Sequence, residues 1–158
     1  MAVDYHLKLD GIPGEDQTDG FVGQVQILSF SWGASNISSV AGTGGSGAGK
    51  VSVSELSIMT FFDKATPAAF KAICLGTHIK TGTLSAVKSG AGGKPYITVD
   101  FQELFVSSLQ ISGANENPSV SMGFTYDQMT LKYYAQNEQG TLTLASQTTY
   151  NTKQNKTT

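Results

Sequence analysis

The run Gly44-Gly45-Ser46-Gly47-Ala48-Gly49-Lys50 fits G-x-x-x-x-G-K, the spacing in which backbone N–H groups and a lysine cradle the phosphates of a nucleotide. That chemistry needs a Ser or Thr next, whose hydroxyl binds magnesium, and this chain has Val51. The flanks are wrong as well. A phosphate loop lies between a buried strand and a helix whose N-terminus faces the anion. Here residues 35–39 read Ser-Asn-Ile-Ser-Ser, and the residues after Lys50 alternate as a strand. Nucleotide binding is therefore set aside, and Lys50 is read as the edge of that strand.

No other group of residues assembles a reaction. His6 falls on the polar face of a strand and reads as solvated; His78 reads as a turn residue behind a helix. Neither is paired with a nucleophile by sequence. Cys74 lies at helical spacing from Phe70 and Ile73 and reads as a small buried hydrophobe. Asp10, Glu15, Asp16 and Asp19 crowd one loop, but the spacing of a calcium loop is absent, so a solvated turn is expected. Asp100 and Glu103 differ in strand parity and point to opposite faces, so they cannot act as a carboxylate pair. Glu103 shares the parity of Phe101 and Phe105, which suggests either a subunit contact or a bulge there. The expectation is no enzyme, no cofactor and no metal.

The elements that carry these residues are strands. Val3, Tyr5, Leu7 and Leu9 alternate with polar residues until Gly11-Ile12-Pro13-Gly14. Ile97, Val99, Phe101, Phe105, Leu109 and Ile111 share one parity and predict a long strand over about 95–112. A glycine-rich hairpin at 90–93 joins it to a strand over about 79–88. Three segments change phase: Val25 and Ile27 give way to Leu28, Phe30 and Trp32; Val51 and Val53 to Leu56, Ile58 and Phe62. The third runs from Val120, Met122, Phe124 and Tyr126 to Met129, Leu131 and Tyr133. Such slips need bulges or bends, or burial of both faces in turn, and either requirement suits a strongly curved sheet. One helix interrupts the strands, with Thr66 as its cap, Pro67 in its first turn, Gly76 closing it, and Phe70, Ile73 and Cys74 as its apolar stripe. The fold class is all-β, a small, closed or nearly closed β-barrel of curved antiparallel sheets with one short docked α-helix.

Composition narrows the partners. The 158 residues make one domain's worth of chain, 39% hydrophobic and 14% charged. All ten basic residues are lysines, and with a net charge of -2 this argues against nucleic acid and against arginine clamps on phosphate or carboxylate. A single cysteine excludes an internal disulfide and a multi-cysteine zinc site. Residues 1–6 show no secretory signal pattern and no run is long enough to span a membrane, so a cytoplasmic protein without membrane insertion is expected, its export needing a dedicated machine.

Ile27-Leu28-Ser29-Phe30-Ser31-Trp32-Gly33, with Met1-Ala2-Val3-Asp4-Tyr5, resembles the Hcp family, the tube proteins of bacterial type VI secretion. The resemblance runs on in order. It takes in Gly47-Ala48-Gly49-Lys50-Val51, Asp63-Lys64-Ala65-Thr66-Pro67 at a helix start and Gly76-Thr77-His78 at its exit. Leu104-Phe105-Val106-Ser107-Ser108 resembles the family's "VLVSS", and Tyr150-Asn151-Thr152-Lys153-Gln154-Asn155 is similar to its C-terminal ending. Ser85-Ala86-Val87-Lys88-Ser89 is less charged than the family's usual segment, and the lack of arginine is unusual. The resemblance implies a single tube domain over residues 1–158 and a homohexameric ring that stacks into a hollow tube. It further implies a spike protein at the tip, a contractile sheath as motor, small secreted effectors held in the lumen, and secretion through that machine.

Two surfaces follow. Residues 37–50, with Ile37 and Val40 as apolar anchors and Gly44, Gly45, Gly47 and Gly49 before Lys50, are expected to form an extended, flexible ring-stacking loop. Ordering some ten such residues costs on the order of 10–20 kcal/mol, which Ala, Gly and Ser contacts within one chain do not offset. A slack surface loop is the alternative. Ser29 and Ser31 point away from the core, and by resemblance that face could line the lumen, making them candidate cargo contacts; an ordinary solvated strand is the alternative. A phage-type tail-tube protein and a monomeric ligand-binding β-barrel remain the competing readings of the whole chain.

Overall fold

A computed structural model describes residues 2–36, 51–88 and 93–158. The expected stacking loop at 37–50 and most of the 90–93 hairpin lie outside the described residues. The strands are β1 (Val3–Leu9), β2 (Val25–Ser31), β3 (Ala34–Asn36), β4 (Val51–Val53), β5 (Leu56–Phe61), β6 (Ile79–Lys88), β7 (Ile97–Ser112), β8 (Ser119–Thr125), β9 (Gln128–Gln136), β10 (Leu142–Asn151) and β11 (Lys156–Thr157). One helix, α1 (Ala65–Leu75), sits between β5 and β6. β1, β2, β5, β8, β7 and β6 pair antiparallel in that order, and β6 returns to β1. The all-β barrel read from the sequence is therefore closed, with six strands and no free edge in its wall.

Alternation builds the core. Leu7, Leu56, Ile58, Leu104, Phe101 and Phe124 are fully buried inside the barrel. Each such side chain contributes about 1.5–3 kcal/mol relative to exposure. The long strand β7 departs from the single parity expected of it. Val99 and Phe101 are buried before Glu103, but Leu104 and Val106 after it, while Ile111 is half exposed. Glu103 has φ 54°, a left-handed conformation at the point where the buried parity of the strand changes. The register with β6 runs unbroken past this point, with Thr81 opposite Gln102 and Ile79 opposite Leu104, so Glu103 marks a kink and not an inserted residue; the register shift in β7 lies farther on, between Val106 and Ser108. At the same point the neighbour of β7 changes, from β9 (Gln102 opposite Gln128) to β8 (Phe105 opposite Thr125). The bend at Tyr126-Asp127 between β8 and β9 matches it, so two kinked strands run side by side.

The other phase changes have separate causes. In β2 the register with β5 shifts between Ile27 and Ser29, leaving Leu28 as an extra residue that turns outward. The expectation that Leu28 packs in the core fails for this reason, and Phe30 stays 37% exposed, its ring centroid 5.1 Å from that of Tyr5. Val51 and Val53 belong to a different sheet from Leu56 and Ile58, since β4 pairs only with β3 in a two-stranded ribbon. Beyond the barrel, β9, β10 and β11 extend the sheet from the first half of β7 as a flange.

The helix also corrects the sequence reading. It starts at Ala65, with Lys64 at the cap position, so Thr66 is not the cap and Pro67 is the third helical residue. Asp63 supplies the cap instead, its carboxylate accepting the Ala65 N–H at 2.9 Å. Gly76 closes the helix as expected, left-handed at φ 62°, and the Thr77 N–H returns to the Ala72 carbonyl at 3.0 Å. The buried face is Ala65, Thr66, Ala69 and Ala72, not Phe70, Ile73 and Cys74. Small side chains let the helix backbone approach the barrel closely. That leaves the bulkier stripe turned away, with Phe70 and Cys74 exposed and Ile73 only partly buried.

Candidate assembly and lumen surfaces

The outer face of β2, β5 and β8 is the polar wall that contains Ser29 and Ser31. Cross-strand neighbours share a face, and Ser29 stands opposite Met59, Ser31 opposite Ser57, and Met59 opposite Ser121. Both predicted serines are exposed, and these five side chains border one shallow depression of about 250 Å³. Ser57, Met59 and Ser121 escaped the sequence reading. Their parity was legible, but which strands lie side by side was not. None of the three strands carries a charged residue. At the rim, Gly123 is covered by the Ser108 hydroxyl and the Glu55 carboxylate, which a Cβ would meet at 2.5 and 2.8 Å. The wall offers hydroxyl donors and acceptors, a few apolar side chains and almost no fixed charge.

The candidate catalytic residues fall elsewhere. His6, expected to be solvated, is 1% exposed, and its Nδ1 is bonded to the Asp16 carboxylate. The loop between β1 and β2 causes this by folding back over the outer face of β1. Its ends are stitched by Gly14 N–H to the Gly23 carbonyl at 2.8 Å and Asp16 N–H to the Gln24 carbonyl at 3.0 Å. Gly14 has no room for a side chain, since a Cβ would lie 2.3 Å from the Gln24 carbonyl oxygen. Phe21 seals the pair by stacking on the imidazole, centroids 4.0 Å apart at 8°. The acidic loop is therefore not a uniformly solvated turn. Asp16 is buried, while Asp10, Glu15 and Asp19 are exposed.

Burial opposes ionisation of Asp16. The Thr18 backbone N–H, the His6 ring, the Thr18 hydroxyl and the His6 charge outweigh it and hold the carboxyl below its usual range. An Asp–His pair orients a base in hydrolases, but here the far ring nitrogen, Nε2, is buried with no hydrogen-bond partner among the described residues. The pair ties the loop between β1 and β2 to the outer face of β1.

His78 is exposed behind the helix as expected, lying against Phe105 at 3.8 Å and 3.5 Å from the Glu103 carboxylate. Asp100 turns the other way, accepting from Thr83 at 2.9 Å and pairing with Lys132 at 3.3 Å. Cys74, expected to be buried, is exposed for the reason given above. Among the described residues no three His, Cys, Asp or Glu side chains gather as a metal site, and no helix is long and apolar enough to cross a membrane. Ile37, Val40, Gly44, Gly45, Gly47, Gly49 and Lys50 lie outside the described residues.

The comparisons with known proteins agree in kind. The family model described as "Type VI secretion system effector, Hcp" matches residues 6–133. Protein hcp1 of Pseudomonas aeruginosa is 31% identical over 143 residues, covering 89% of this chain and 88% of that protein. A solved type six secretion system protein superposes with TM-score 0.91 at 26% identity, over 99% of this chain and all of the other. Hcp1 from Salmonella typhimurium gives TM-score 0.79 at 28% identity, with both chains fully covered. A match across most of the chain, in sequence and in fold, settles its membership: the chain belongs to the Hcp family, the tube proteins of type VI secretion.

Proposed function

We propose that the chain assembles into homohexameric rings that stack into a hollow tube, with the serine wall of β2, β5 and β8 facing the lumen. The observation that carries this reading is the chemistry of that wall. A channel that must hold and then release proteins of varied sequence needs short-range hydrogen bonding without strong ionic contacts. Ser29, Ser31, Ser57 and Ser121 around Met59 supply this. Small effectors would bind there weakly and be expelled with the tube, behind a spike and driven by a contractile sheath. The protein acts by assembly and not by catalysis. It is made in the cytoplasm and leaves through the machine. Residues 37–50 carry the contact between successive rings.

Electron microscopy of the purified protein, alone and with a co-expressed small effector, tests the reading. Rings with central density only in the effector sample support it. Rings with effector bound solely on their outer rim would refute the lumen assignment.

A further inference from the structure

The ring reading leaves open which surfaces meet, and two of the exposed apolar surfaces bear on that. One belongs to the flange. Phe101 faces Met129, Val99 faces Leu131 and Ile97 faces Tyr133, so the inner face of β9 continues the core side of β7. Met129 is buried, but Leu131 and Tyr133, farther along, are 41% and 47% exposed. The opposite face carries the Asp100–Lys132 ion pair and the Thr130–Thr149 hydrogen bond, with Tyr134 opposite Leu144 beyond them. The inner row of β9 lacks a layer over Leu131 and Tyr133, which lie beside Thr148 and Ser146 of β10. The second face is the outer side of α1, where Phe70 and Leu75 are 59% and 67% exposed.

The two faces differ in shape and in charge. Between residues 64 and 75 the charged side chains are Lys64 and Lys71, both exposed. From 128 to 151 the charges are Lys132, which Asp100 already neutralises, and Glu138 at the tip of the β9–β10 turn. That turn is held by the Asn137 carboxamide, which accepts N–H groups at 3.0 and 2.8 Å. A rotationally closed ring needs two unlike, complementary patches on each subunit, whereas a twofold dimer needs one patch that fits itself. A basic helix and an acid-tipped sheet meet the first requirement.

We infer that the inner face of the β9–β10 flange, through Leu131 and Tyr133, packs on the Phe70–Leu75 side of α1 in a second copy of this chain, with Glu138 beside Lys71. The inference rests on the ring reading and adds its direction. Single charges placed in the centre of each patch test it. Phe70→Glu and Tyr133→Glu each convert wild-type rings to monomers at the same protomer concentration, read by native mass. The Phe70→Glu subunit keeps an intact flange face and the Tyr133→Glu subunit an intact helix face. Mixing the two therefore restores one contact per pair and yields mixed dimers, never rings. A self-fitting patch would give no dimers on mixing.

Both side chains are already exposed in the single chain, so the variants are expected to stay folded, with a far-UV circular-dichroism spectrum like that of the wild type. Should either misfold, the charge swap decides. Lys71→Glu or Glu138→Lys alone lowers the ring fraction severalfold at the wild-type midpoint, and the double variant recovers it. The inference is overturned if either glutamate variant keeps its rings, if the folded pair stays monomeric on mixing, or if the charge swap shows no recovery. A wild-type chain that is itself monomeric overturns the ring reading and this contact with it.

Discussion

Replacing Asp16 by Asn removes one charge from a sealed pair and changes almost nothing in shape. Asp16 is 3% exposed and His6 1%. The Asn oxygen can keep the Thr18 N–H bond, which measures 2.9 Å in the wild type, but a neutral amide is a weaker partner than a carboxylate for the His6 ring. Leaving a buried polar group short of its partner typically costs about 1–3 kcal/mol. Asn retains part of the hydrogen bonding, so a loss within that range is expected at pH 7, against a domain stability of about 5–15 kcal/mol. The pH dependence follows from the direction of the Asp16 shift. Its folded pKa is depressed, so its contribution is fully present above the unfolded value of about 3.9 and is lost as pH falls through the lower folded value. The difference between wild type and Asp16→Asn should therefore shrink in acid, at pH values below about 4. Urea unfolding at fixed protomer concentration, at pH 7 and again near pH 3, measures both. Equal midpoints at pH 7, or a difference that grows in acid, would show that the pair does not clamp the loop.

Further outcomes follow from other positions. Glu103→Val should destabilise by about 1–3 kcal/mol, because a β-branched residue resists the left-handed φ of 54°, while Glu103→Gly should be neutral or stabilising; thermal unfolding of the pair checks the sign. Ser31→Trp should leave ring mass unchanged but reduce effector co-purification, since it fills the depression beside Ser57 and Met59; full retention would remove the cargo contact. Deleting residues 43–48 should leave rings intact and lower tube yield in negative-stain images; unimpaired tubes would return that loop to an ordinary surface excursion.

Much of the architecture was legible because strand parity is local. β1 and the first half of β7 read correctly, and Gly76 announced the helix end through the one backbone conformation that favours glycine. The failures were non-local. Leu28 was assigned to the core because a bulge depends on how β2 pairs with β5, which no window of β2 contains. His6 was assigned to solvent because its cover, the loop carrying Asp16 and Phe21, folds back from a stretch of sequence that looks polar. Cys74 was assigned to the interior because its stripe is the more hydrophobic one. Close approach to the barrel selected the alanine face instead.

The same logic governs the candidate surfaces. Ser29 and Ser31 were visible as outward-facing, but the wall they belong to appears only once β5 and β8 lie beside β2. The flange face was hidden in a different way. Leu131 and Tyr133 follow the parity of buried Met129 and read as core, and only the end of the barrel wall leaves them uncovered.

The most direct test of assembly as the function is the native mass of the purified chain near neutral pH. A single species near six times the 16.6 kDa protomer, seen as a ring by electron microscopy, is the predicted result. A monomer that stays monomeric at high concentration would contradict the account.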